Sequence, residues 1–99
     1  MKLYDALEKE LRALTGIEIV AKDRYALFRT TRIFADLVFM KDALRLAIHL
    51  NREVEHPLFF KVARDRARVS HVAKLRDEAE LAAVVPYVKE AYELTLSET

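Results

Sequence analysis

The sequence predicts an α+β domain: an N-terminal helix, an antiparallel β-meander of three to four strands and a C-terminal helix, all within one domain spanning residues 1–99. Three observations carry that expectation. Leucines at helical spacing near the start are closed by the only glycine in the chain. The apolar period then switches from helical to twofold, with connections far shorter than the dozen residues a parallel crossover needs. A second, wider stripe of helical period occupies the end of the chain.

Leu3, Leu7, Leu11 and Leu14 are interleaved with Asp5, Glu8, Lys9, Glu10 and Arg12, which is an amphipathic helix, and Gly16 follows as a left-handed cap. β-branched and aromatic residues then become common, and a first strand is expected over Arg24 to Thr30. A second covers Arg32 to Met40, with Ile33, Ala35, Leu37 and Phe39 on one face and Phe34, Asp36, Val38 and Met40 on the other. After a turn at Lys41-Asp42, Leu44, Leu46, Ile48 and Leu50 alternate with Arg45, Ala47 and His49, a third strand with one wet face. Residues 51–61 read as a loop around Pro57, closed by Leu58-Phe59-Phe60. Arg68 to Arg76 alternates again as a candidate fourth strand, with a helix as its alternative. Asp77 and Glu80 resemble a capping box for the last helix, whose stripe is Leu81, Val84, Val85, Val88, Ala91, Tyr92 and Leu96. Pro86 inside that stripe predicts a kink, or a turn and a fresh helix start.

With 53% hydrophobic and 33% charged residues the chain can bury one core and solvate its surface, which excludes a disordered class. No cysteine is present, so disulfides, thiolate metal sites and thiol nucleophiles are excluded. The start of the chain lacks a signal-peptide apolar region and no apolar run reaches membrane-spanning length, so the expectation is a cytoplasmic protein with no membrane partner. Charge is unevenly spread. Residues 22–76 hold thirteen Lys and Arg against six acids, a net +7, whereas residues 77–99 carry a net −5.

The order of elements resembles the small domain of unknown function numbered 5655. The residues that carry the resemblance are Tyr25-Ala26-Leu27-Phe28-Arg29, the Phe34-Ala35 step, Leu44-Arg45-Leu46-Ala47-Ile48 and above all Val69-Ser70-His71-Val72-Ala73-Lys74-Leu75-Arg76, followed by an acidic helix start and Lys89-Glu90-Ala91-Tyr92-Glu93. The similarity spans nearly the whole chain. It departs at Thr30-Thr31-Arg32, where members often carry a glycine. The resemblance implies no established activity; that members occur joined to restriction-type nuclease domains implies nucleic-acid surroundings without assigning a role.

No catalytic, cofactor or metal motif emerges, and neither a cofactor nor a metal is expected. His49 and His56 lack any zinc spacing. His71 shares a face with Val69, Ala73 and Leu75, which favours a half-buried structural histidine. Ser70 precedes His71 directly, and neighbours in a strand point to opposite faces, so the two cannot pair. One glycine excludes phosphate-cradling loops.

Two surfaces remain. Arg64, Arg66 and Arg68 at twofold spacing would share one face of an extended segment, and Arg24, Arg29 and Arg32 lie among Tyr25, Phe28 and Phe34, the composition that holds phosphates and stacks single-stranded bases. Large apolar residues on both faces of the early strands, Phe28, Phe34, Val38 and Met40 on the second, suggest a sheet face left for self-association if both helices pack on the other. The expected function is therefore a non-enzymatic interaction domain, homodimeric or with a protein partner; the alternative is a nucleic-acid-binding accessory domain. A weaker third option is a small-molecule pocket near Tyr25, His71 and Tyr92.

Overall fold

The computed structural model describes residues 2–97. Helix α1 (Lys2–Arg12) leads into strands β1 (Glu18–Ala21), β2 (Tyr25–Arg29), β3 (Ile33–Phe39), β4 (Leu44–Leu50), β5 (Phe59–Asp65) and β6 (Arg68–Leu75), and helix α2 (Glu78–Ser97) closes the chain. The α+β class and the flanking helices match the sequence expectation, but the sheet has six strands, not three to four, in the order β1-β2-β3-β4-β6-β5. Every neighbouring pair is antiparallel. The two unexpected strands are the edges. β1 is only four residues long, and β5 carries Lys61, Arg64 and Asp65 on a segment exposed from Phe60 onward, so neither displays the apolar alternation of a half-buried strand.

Beyond β4 the meander is interrupted. Residues 51–58 carry the chain back along the sheet so that β5 starts opposite Ala73, and the β5–β6 hairpin then places β6 beside β4. Val54 of this connection is buried, and its N–H donates to His71 Nε2 at 2.9 Å. Nδ1 of the same ring is 3.2 Å from the Val69 carbonyl, to which it donates. Those two bonds fix the tautomer and pin the crossover over β6, and the ring is fully buried where the sequence suggested half-burial.

Both helices cover one face of the sheet. Tyr4 of α1 meets Phe39 edge-on at 5.1 Å, and Tyr92 of α2 meets Phe34 at 5.8 Å. Leu7, Leu11, Ala26, Phe28, Leu37, Leu44, Leu46, Ile48, Leu75 and Val84 are buried in the layer between. α2 is one continuous helix through Pro86, where the sequence suggested a kink or a restart. Pro86 lies on the exposed side, where water can satisfy the carbonyl that the proline leaves without a donor. The Asp77 cap forms as expected, Glu80 N–H donating to Asp77 Oδ1 at 2.8 Å. The Glu80 carboxylate reaches back one residue beyond the cap, to Arg76 N–H at 2.8 Å. Among the described residues no helix is long and apolar enough to cross a membrane.

Gly16 has φ +78°, and nothing lies within 4 Å of where its Cβ would be. The cost of a side chain there is therefore conformational alone. Gly16→Ala is expected to destabilise the domain by about 1–2 kcal/mol, with Gly16→Asn milder, as read from urea melts. Equal stability of all three chains would remove this assignment.

Candidate functional site

Among the described residues no helix covers the second face of the sheet, and the residues on that face follow from the register. Tyr25 pairs with Val38, Val38 with Arg45 and Arg45 with Lys74. A bulge between Phe59 and Lys61 turns Phe60 out at the end of this row, where the Arg45 guanidinium sits 5.7 Å from its ring centroid. One line across five strands thus reads Tyr25, Val38, Arg45, Lys74, Phe60. At ~4.8 Å per strand the two rings are about 19 Å apart. Phe60 is 59% exposed, Val38 46%, Tyr25 43% and the adjacent Met40 39%, the larger share of the exposed big hydrophobics. The flanking row is Val20, Leu27, Asp36, Ala47, Val72 and Lys61.

A polar cluster lies beside these rows. His49 Nδ1 is 2.9 Å from Ser70 Oγ, its direct ladder partner, and His49 Nε2 is 3.1 Å from Asp36 Oδ2. Arg68 Nη2 also lies 3.1 Å from Nε2. One ring nitrogen cannot both donate to a carboxylate and accept from a guanidinium. Because Asp36 can only accept, the network is satisfied with Nε2–H donating to Asp36, Nδ1 accepting from the Ser70 hydroxyl, and Arg68 laid alongside as the countercharge. His49 is 4% exposed although it points to the open face, covered by these neighbours.

Hydroxyl, imidazole and carboxylate in a chain are the parts of an activated nucleophile. The ladder around Ser70 limits what else such a chain could use. Ser70 lies in an interior strand, flanked by His49 of β4 and Ala63 of β5, so its own main-chain groups belong to the sheet ladder. The cluster instead places the Arg68 guanidinium beside the His49 ring on the open face.

The residues named from sequence distribute unevenly over this geometry. Arg68 lies on the open face, but Arg64 does not: Arg66 and Ala67 form a two-residue hairpin turn, with Arg66 at φ +61°, and Arg64 pairs with Val69 on the helix side, where it meets Glu53 at 3.6 Å. The three arginines therefore do not share a face. Arg29 is on the open face beside Glu18 at 3.8 Å, Arg24 lies in the β1–β2 turn, and Arg32 sits at the β2–β3 turn with Nη1 donating to the Ile33 carbonyl. Tyr25, His71 and Tyr92 do not converge on a pocket. Tyr25 is on the open face, while His71 is buried on the other and the Tyr92 hydroxyl donates to the Thr15 carbonyl. Of the self-association set, Val38 and Met40 are exposed, whereas Phe28 and Phe34 are fully buried in the core. The sequence does not show Arg45 and Phe60 beside the basic Lys74, nor the Asp36–His49–Ser70 chain, because these residues meet only through strand pairing.

The basic middle also meets the acidic last helix, as Arg52 makes a bidentate bond to Glu90 at 2.8 and 3.0 Å. Among the described residues no group of three or more His, Cys, Asp or Glu is placed to hold a metal ion. The family model described as Domain of unknown function (DUF5655) matches residues 1–95. Neither a curated protein nor a solved structure matches the chain.

Proposed function

The chain belongs to the DUF5655 family, whose description carries no activity, and on the geometry of the open sheet face we propose that it binds single-stranded nucleic acid there. The observation that carries this proposal is the row Tyr25, Val38, Arg45, Lys74, Phe60, two exposed rings flanking two cations on a surface without a helix over it. Exposed rings stack on bases whatever their identity, and the ammonium and guanidinium groups between them neutralise phosphates. A duplex hides the faces of its bases, so it would use the cations and lose the rings. Arg68, beside the His49 ring, and Lys61 continue the positive surface along the sheet.

Face-to-face self-association through the same surface fits less well. Arg45 and Lys74 are central in the sheet, and stacking two copies would desolvate these cations against each other.

The test is fluorescence anisotropy with labelled single- and double-stranded oligonucleotides at two salt concentrations. Single strands are expected to bind more tightly than duplexes and to weaken with salt. Phe60→Ala and Tyr25→Ala should each cost about 1–3 kcal/mol of binding. Arg45→Glu combined with Lys74→Glu should abolish it, and Arg64→Glu, on the helix side, should leave it unchanged. Absence of binding at low salt would sink the proposal.

A further inference from the structure

We propose that β5 is the docking edge for a second copy of this chain, the two β5 strands pairing antiparallel about a twofold axis at Ala63. This inference rests on the edge itself and shares only Lys61 with the nucleic-acid face.

The hydrogen-bonding register of β5 follows from its hairpin. Asp65 and Arg68 close a two-residue turn, so they form a hydrogen-bonded pair, and alternation makes Ala63–Ser70 and Lys61–Val72 hydrogen-bonded pairs as well. The N–H and C=O groups of Val62 and Arg64 therefore point away from β6, out of the sheet. Two copies meeting at Ala63 place Val62 opposite Arg64 of the second copy in both directions. These are the residues whose outward groups are unused, and together they supply about four main-chain hydrogen bonds.

The side chains agree with that register. With Ala63 on the axis, Lys61 falls opposite Asp65 of the second copy, twice by symmetry, and all four groups lie on the open face. Non-hydrogen-bonded pairs bring side chains closest, and Lys61–Asp65 is such a pair across this interface. The residue on the axis is small, so two copies can approach. Shifting the axis by one residue either way removes the charge match: at Val62 Lys61 faces Ala63, and at Arg64 Asp65 faces Ala63. On the helix side, the exposed Val62 would cover its methyls with the stem of Arg64.

On the helix side the exposed Glu53 side chain lies over this edge, beside Arg64. Every β5 residue after Phe59 is exposed, and α2 packs over β3, β4 and β6. Edge strands in general resist such pairing with charges and bulges. Here the bulge at Phe60 confines pairing to the last five residues of the strand, and the charges on it are complementary to a copy of themselves. The twofold axis stands perpendicular to the sheet, so both open faces lie on the same side and merge into one surface.

Sedimentation equilibrium from about 1 μM to about 1 mM reads the outcome. The wild-type chain should approach twice its monomer mass at the upper end. Asp65→Lys, which opposes two lysine pairs, should raise the dissociation constant at least tenfold. Exchanging both charges, Lys61→Asp with Asp65→Lys, should restore it, because the match is regained only in this register. Val62→Pro removes an outward donor without touching the β6 ladder and should leave a monomer; unchanged thermal unfolding checks that it folds. A wild-type monomer mass throughout, indifference to Asp65→Lys, or failure of the double exchange to restore the dimer overturns the proposal.

Discussion

Phe34→Ala is expected to lower the unfolding free energy by about 3–5 kcal/mol, a large share of the roughly 5–15 kcal/mol that holds a domain folded. Alternation along β3 would place Phe34 with Asp36 and Val38 on the open face. The ladder shows why it is not there. Phe28 pairs with Ala35 and Arg29 with Ile33, so Phe34 is the extra residue of a bulge and has no partner across β2. A bulge lets two consecutive side chains point the same way, and Phe34 joins Ala35 under α2, fully buried with its ring edge-on to Tyr92. Truncation leaves a cavity between β3 and α2 that neither rigid element can close. Val38→Ala and Met40→Ala, on the open face, should change stability by no more than about 0.5 kcal/mol. Urea melts of the three variants check the assignment of faces, and comparable losses at Phe34 and Val38 would refute it.

Phe34 also marks where the sequence stops being legible. Period and composition identify both helices, the three strands β2, β3 and β4, and β6, because each buries one face and its apolar residues recur accordingly. β5 buries only Phe59, so its composition is that of a charged loop. β1 is too short to establish a period. A bulge is invisible to alternation, since a single added residue inverts the phase beyond it; this is how Phe34 comes to be read as a surface residue. The candidate site fails to show for a related reason. Asp36, His49 and Ser70 each stand at the outward phase of their own strands, but which of them touch depends on strand order. With β5 unrecognised as a strand, the Arg64-Arg66-Arg68 spacing looks like one face rather than two strands joined by a tight turn.

Acid is expected to loosen the domain at the crossover, through His71. Burial pushes the pKa of this imidazole below its usual value of 6.5; bonds to the Val69 and Ile48 carbonyls and the nearby Glu53 oppose the shift, and Arg52 reinforces it. The sign follows from proton counting. Between the ordinary and the depressed pKa the unfolded chain binds a proton that the folded chain refuses, so stability rises with pH across that window. The contribution is complete above about pH 6.5 and is lost as pH falls through the window toward the folded value. Protonation also has a steric meaning here, because Nε2 would gain a hydrogen aimed at the Val54 N–H that it now accepts. His71→Ala should cost several kcal/mol at any pH, since it leaves a buried N–H unsatisfied, itself worth about 1–3 kcal/mol, and opens a cavity under the crossover. His71→Gln is the more informative variant. Its amide can accept from Val54 and donate to Val69 without titrating, so this part of the acid dependence should vanish while neutral stability is largely kept. Thermal melts of wild type and His71→Gln between pH 4 and 8 decide it. An unchanged acid slope in the glutamine variant would place the loss elsewhere and leave His71 with a packing role alone.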